Sequence, residues 1–254
     1  MKRTVISIML AAMAICAGAK EKTLRYEFGD IERIEAGYNF KIHVTEGDSG
    51  KVEIVADSEL ERYIIVRYSG NKAALSLQMD ELPRKIRNSQ IPPVEVYITM
   101  DHIRSIDISG AASIYFEGQY SADNLDIELS GASSLHGLRI DGNLLSIDCS
   151  GAADADIYGN IKEDVDIDCS GAGKIRLAGK GKSFMIDGSG AADINARNFT
   201  ADNVTVNLSG ASKAEVYASK ELRYDVGIAC NMTYFGEARP VNVSKDANVV
   251  QGIL

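Results

Sequence analysis

Tryptophan is absent from this 254-residue chain, and histidine occurs three times, cysteine four times and proline four times. Each scarcity excludes something. Without tryptophan the largest aromatic surface for stacking on a sugar ring is missing. His43, His102 and His136 are too scattered in sequence to suggest a zinc site or a catalytic triad. After Pro93 the next proline is Pro240, so every backbone N–H between them is free to join a hydrogen-bonded ladder. No stretch reaches the roughly 20 apolar residues of a membrane-spanning helix. The longest apolar run, Val5 to Ala14, follows Lys2 and Arg3 and precedes Ala17-Gly18-Ala19. That arrangement predicts a signal peptide over residues 1–19 and an exported protein, resident in the periplasm, on the outer surface or in the medium. A lipid anchor at Cys16 is the alternative, but bulky Ile15 stands where a lipobox has a small residue.

Removing residues 1–19 takes away two basic side chains and no acidic ones, leaving 25 basic against 36 acidic and a net charge of −11. Such a chain repels nucleic acid and anionic membrane surfaces. The remaining cysteines, Cys149, Cys169 and Cys230, are odd in number, which excludes a disulfide scaffold. Stability must come from packing, and 45% hydrophobic residues supply enough to pack.

What is present in abundance is a repeat. Ser-Gly-Ala begins at Ser109, Ser130, Ser150, Ser170, Ser189 and Ser209, with spacings of 21, 20, 20, 19 and 20 residues. Ahead of each triplet apolar and polar residues alternate, as in Ile147-Asp148-Cys149 and Ile167-Asp168-Cys169, and a second apolar pair follows, as in Ile175 and Leu177. Period two is the mark of a half-buried strand. Strand, bend, strand and a further turn, several carrying Gly118, Gly159 or Gly179, use up the period and leave no room for a helix. The fold class predicted is all-β: a single-stranded parallel β-helix, a solenoid of about 20-residue coils whose equivalent strands pair about 4.8 Å apart. The bend glycines, Gly110, Gly131, Gly151, Gly171, Gly190 and Gly210, are expected where a side chain would run into the coil interior, with serine and alanine stacking in columns beside them.

The chain divides accordingly into residues 1–19 (signal peptide), 20–100, 101–223 (the regular coils) and 224–254 (a degenerate coil and cap). In residues 20–100 strand-like runs such as "KIHVTEG" and "VEVYITM" are irregularly separated, so this part forms either wider first coils or a β-cap. "DSELERYI" reads as a short helix with Ser58 and Glu61 in capping-box spacing, and "LPRKIRNSQIPP", residues 82–93, as a loop.

"IERIEAGYNFKIHVTEGDSGKVEIVAD", "PPVEVYITMDHIRSIDISGAASI" and the Ser-Gly-Ala coils together resemble the putative auto-transporter adhesin, head GIN domain family, exported proteins of Bacteroidetes-type bacteria. The resemblance spans roughly residues 25–245. It departs from the family in carrying Ser-Gly-Ala where members often have Ser-Gly-Ser-Gly. The resemblance implies a right-handed β-helix and an adhesin-like role, and brings no catalytic residues with it.

The chemistry legible in the residues themselves is sparse. Asp107, Glu128, Asp148, Asp168 and Asp187 precede the repeated serines and form an outward column. It reads either as a solvated acidic face or as a calcium ladder, although a flat strand offers one carboxylate per coil and calcium takes six to eight oxygens. Cys149 and Cys169 share an inward position on adjacent coils, where buried thiols pack better than parallel neighbours cross-link; Cys230 falls on another column, aligned with Gly210. "GKGKS" at 179–183 lacks the earlier glycine of a phosphate loop, Arg176 standing there. The function predicted is a non-catalytic exported binding module with a protein or glycan partner, no cofactor and no metal. The alternatives are a polysaccharide-active enzyme or a calcium-dependent glycan binder.

Overall fold

The structure is a computed structural model that describes residues 21–48, 50–84, 91–242 and 248–253. The signal-peptide segment, Cys16 included, and residues 85–90 of the predicted loop at 82–93 lie outside the described residues. Strands come first as β1 (Glu21–Glu27), β2 (Arg33–Ala36), β3 (Phe40–Glu46), β4 (Lys51–Asp57), β5 (Ile64–Ser69), β6 (Lys72–Leu77) and β7 (Val94–Met100). The repeat region supplies β8 (Ser105–Ile108), β9 (Ser113–Glu117), β10 (Tyr120–Leu129), β11 (Ser134–Cys149), β12 (Asp154–Ile161), β13 (Asp164–Cys169), β14 (Lys174–Gly188), β15 (Asp193–Leu208) and β16 (Lys213–Val226). The chain closes with β17 (Asn231–Phe235), β18 (Arg239–Asn242) and β19 (Asn248–Gln251).

Stacked parallel coils about 20 residues apart form a β-solenoid of about seven turns. Registers follow the repeat directly: Ile147 pairs with Ile127 and with Ile167, and Ile167 with Ile186. Alternation puts every second residue inside, so Ile106, Ile127, Ile147, Ile167, Ile186 and Val206 form one fully buried column. Opposite it, across the bend, runs Ile114, Leu135, Ala155, Ile175, Ile194 and Ala214, also buried. Sizes compensate between the two walls. A Cβ on Gly173 would stand 2.5 Å from Cys149 Sγ and 2.9 Å from Cys169 Sγ, and one on Gly188 would stand 2.7 Å from Leu208 Cδ2. Gly173 therefore appears where the facing column already fills the space, and Gly188 where its neighbour in its own column does, as close packing demands.

The hydrogen-bonded ladder runs through the bend as well. Ala132, Ala152, Ala172, Ala191 and Ala211 each donate their N–H to the carbonyl of the bend glycine one coil earlier, at 2.6–2.7 Å. This corrects the reason expected for the glycines, which do not point inward and are solvent-exposed. Gly171 has φ of +89°, and a Cβ there would lie 2.5 Å from Gly151 O and 3.0 Å from Gly151 N. The left-handed backbone and the neighbouring coil's backbone demand glycine, and the interior does not.

At the N-terminal end β2 and β3 are already a coil of the solenoid, in register with β8 and β9. Tyr38, with φ of 60°, begins the column that the bend glycines continue. Residues 47–100 leave this coil, add β6 and β7 in parallel on its outer side, and rejoin it. Three antiparallel pairings finish that end: β5 on β6, β4 on β7, and β1 on β4. The expected helix at 57–64 is instead a turn and a three-residue 3-10 helix, Glu61–Tyr63. Asp57 captures the Glu59 N–H at 2.8 Å, and Ile64 is already extended. Tight local capture of that kind competes with helix growth.

At the C-terminal end β17 pairs with β16 and β19 with β17. Asn231 lies beside Lys213, which sets Cys230 beside Ser212 in the column after the bend, where its thiol reaches Gly210 O at 3.5 Å. The expected alignment with Gly210 is thereby corrected. The last bend keeps its length but carries Gly227-Ile228-Ala229 in place of Ser-Gly-Ala, and Ile228, 76% exposed, stands in the register of the glycine column.

Candidate functional site

Five carboxylates singled out from the sequence are brought into one column. Asp107 pairs with Glu128, Glu128 with Asp148, Asp148 with Asp168, and Asp168 with Asp187. Glu35 extends the column at one end, and Asn207 and Asp225 extend it at the other. Asp166 stands two residues away beside Asp148, Asp168 and Asp187. Partial burial, then the repulsion of those three, pushes its carboxyl above the ordinary aspartate range. Burial and Glu35 do the same to Asp107, partly offset by Lys72, which is itself ion-paired to Glu35. Asn207 donates its Nδ2 to Asp187 Oδ1 at 2.8 Å. Among the described residues no group of three or more His, Cys, Asp or Glu is arranged to hold a metal ion. One carboxylate per strand gives repulsion without a coordination cage.

Cys149 and Cys169 are register partners, buried and free. The contact with Cys149 and burial push the Cys169 thiol up, and the Cys149 thiol donates to Ala153 O at 3.8 Å. We attribute the pair to core packing, since inert thiols are buried ones.

His102, Ser121 and Asp101 contain the atoms of a hydrolytic triad in another arrangement. His102 Nδ1 lies 2.7 Å from Ser121 Oγ, but Asp101 Oδ2 is 3.7 Å from Nε2, and the His102 and Asp101 side chains are more than half exposed. At that distance the carboxylate does not orient the imidazole.

A different cluster, unseen in the sequence, occupies the outer face of the strands after the bend. Tyr97, His43, Tyr115 and His136 sit on β7, β3, β9 and β11 in mutual register. Their rings stack at centroid distances of 5.0, 5.5 and 4.8 Å with interplanar angles of 15°, 18° and 21°. The faces of His43 and Tyr115 are covered by their neighbours, so these two rings turn edges and polar atoms outward. His43 Nε2 meets Glu95 Oε2 at 2.8 Å, and Lys41 Nζ meets Glu95 Oε1 at 3.1 Å. The bond to Glu95 raises the Lys41 ammonium pKa, and Lys41 also lies 5.9 Å from the Tyr115 ring centroid. Ser134 donates to Ser113 at 2.8 Å alongside.

Tyr115 and His136 are 21 residues apart, one repeat, so that pair could have been found by laying coils over one another. His43 could not. Its coil is separated from its neighbour by the excursion through residues 47–100, and Tyr97 joins the column from that excursion.

The model of the family described as "Putative auto-transporter adhesin, head GIN domain" matches residues 30–238. Solved structures are similar in fold. A putative adhesin of Parabacteroides merdae is 17% identical with a TM-score of 0.77, and a putative lipid binding protein of Parabacteroides distasonis is 14% identical with a TM-score of 0.76. Each comparison covers 93% of this chain and 98% of the other. A putative adhesin of Bacteroides fragilis is 18% identical over 92% of this chain and 97% of its own, with a TM-score of 0.61. No curated protein matches the chain. The β-solenoid, the Ser-Gly-Ala coils and a family match across most of the sequence lead to one conclusion: the chain belongs to the putative auto-transporter adhesin, head GIN domain family.

Proposed function

We propose that this protein is an exported, non-catalytic, adhesin-like binding module whose partner, a protein or a glycan, docks on the outer face that carries Tyr97, His43, Tyr115 and His136. The observation behind the choice of face is the four-ring stack, in which Tyr97 is exposed and His43, Tyr115 and His136 are half-buried, a set of pre-ordered rings that lose little side-chain entropy on binding. The other candidate face carries the acidic column, which repels any anionic partner and has no ring stack along it. Charges on the chosen face are mixed in sign: Asp154, Lys174, Asp193 and Lys213 alternate along it in register. Family membership supports the adhesin-like role, and the predicted signal peptide supports export.

The test is a binding screen over immobilised extracellular-matrix proteins and glycans, with His136→Ala/Tyr115→Ser and Asp148→Asn/Asp168→Asn as paired variants. Loss of a parental interaction in the first variant alone supports the reading; loss in the second alone overturns it. Release of reducing ends from any polysaccharide in the panel would overturn the non-catalytic assignment.

A further inference from the structure

The ring stack ends at Tyr97, and that end is open. β7 lies between β3 and β4, so one face of the Tyr97 ring rests on His43 while the other turns toward β4 and β1. On that side lies a depression of about 530 Å³, lined by Arg25, Glu27, Lys51, Glu53, Tyr97 and Thr99. The volume falls in the range of small-molecule clefts, about 300–1,000 Å³. Tyr97 is 46% exposed, so its ring remains available. Arg25 on β1 and Glu53 on β4, the strand next to the ring, form a two-point ion pair, Nε to Oε2 at 2.8 Å and Nη2 to Oε1 at 3.5 Å.

Building on the face chosen above, we infer that this depression is a carbohydrate subsite that takes a neutral pyranose unit of a glycan chain. The class of ligand follows from three properties of the lining. One aromatic face carries no second ring, and the 46% exposed Tyr97 side chain suits the C–H face of a sugar ring. The polar groups beside it include both donors, on Arg25 and Lys51, and acceptors, on Glu27 and Glu53, with the Thr99 hydroxyl able to serve as either. Vicinal hydroxyls, each a donor and an acceptor at once, match that mixture. The two cations and two anions of the lining cancel, so a uronate or sulfated sugar gains no net attraction here and meets a molecule of overall negative charge. The His43–Glu95–Lys41 network behind the ring holds Tyr97's stacking partner in place, so little order remains to be imposed on binding.

The experiment uses the full mature chain against immobilised neutral glycans (mannan, xylan, β-glucan, galactan) and acidic ones (polygalacturonate, hyaluronan). Oligosaccharides of each positive polymer are then titrated by tyrosine fluorescence, which no tryptophan emission masks. Variants are Tyr97→Ala, Tyr97→Phe and, as a control, Tyr158→Ala, whose ring is equally exposed but lies outside the depression. The expected result is binding to at least one neutral glycan, weakened about tenfold by Tyr97→Ala and unchanged by Tyr97→Phe and Tyr158→Ala. Equal binding by Tyr97→Ala with an unaltered melting temperature overturns the subsite, as does binding confined to acidic glycans. A protein or acidic-glycan interaction lost in His136→Ala/Tyr115→Ser would overturn the sugar assignment and leave the docking face standing. An interaction indifferent to every variant on the face would overturn both.

Discussion

At the scale of single residues the bend glycines carry the strictest requirement in the chain. Gly110, Gly131, Gly151, Gly171, Gly190 and Gly210 all have φ between +71° and +89°, and each packs against the backbone of the bend one coil earlier. A side chain at Gly171 would strain the backbone and displace Gly151 O, to which the Ala172 N–H is bonded at 2.6 Å. Gly171→Val is therefore expected to cost about 2 kcal/mol or more through backbone strain and a disrupted ladder. A thermal melt equal to the parent's would refute this account of the glycine. Gly173 is required for another reason, since Cys149 and Cys169 fill the space its side chain would take. Both thiols should stay unmodified by an aromatic disulfide reagent in the native state and react on unfolding, and rapid native labelling would show that the pair is not sealed.

Between strands, the ladder of carboxylates couples stability to pH. Asp166 and Asp107 have raised native pKa values, so in the window above the ordinary aspartate value the folded chain binds more protons than the unfolded one. Stability then rises as pH falls through that window. Asp202 works in the opposite sense. Lys220 at 2.7 Å and Ser219 at 2.9 Å lower its pKa, and the stability it contributes is lost as pH falls through the lowered value. That loss falls at lower pH than the gain, so the melting temperature is expected to climb modestly between about pH 7 and about pH 5 and to drop in stronger acid. Asp166→Asn should raise the melting temperature at neutral pH and flatten the climb. A parent whose melting temperature falls steadily from neutrality would show that repulsion in the column is not what its acid response reports. Millimolar calcium is expected to leave the melting temperature unchanged, because neighbouring strands supply one carboxylate each. A rise that Asp168→Asn abolishes would establish an ion site after all.

For the molecule as a whole, the solenoid was legible in the sequence because its rule is local: each coil repeats one pattern of alternation and one bend, and stacking adds only the register. Asp107 to Asp187 could be placed in a column from spacing alone. The ring stack could not, because three of its strands, β3, β7 and β9, meet through the excursion of residues 47–100, and no period marks where that excursion rejoins the coil. The same excursion decides how the solenoid ends. β4 would expose an unpaired edge at the N-terminal end, and β1 covers it over seven paired residues, from Glu21 beside Asp57 to Glu27 beside Lys51. Open edges of this length recruit other chains. A chain beginning at Asp30 loses β1, the Arg25–Glu53 pair and the half-buried rings of Tyr26 and Phe28 that stack toward Tyr68. In a solenoid whose coils contact their neighbours alone, that loss should lower the melting temperature of the N-terminal end while the distant coils keep their contacts. The shortened chain is expected to unfold in two separable steps by hydrogen exchange and to associate with rising concentration in light scattering. A single cooperative transition at the parental temperature, with no association, would show that β1 is dispensable and that the edge of β4 is protected by its own charged side chains, Lys51, Glu53 and Asp57.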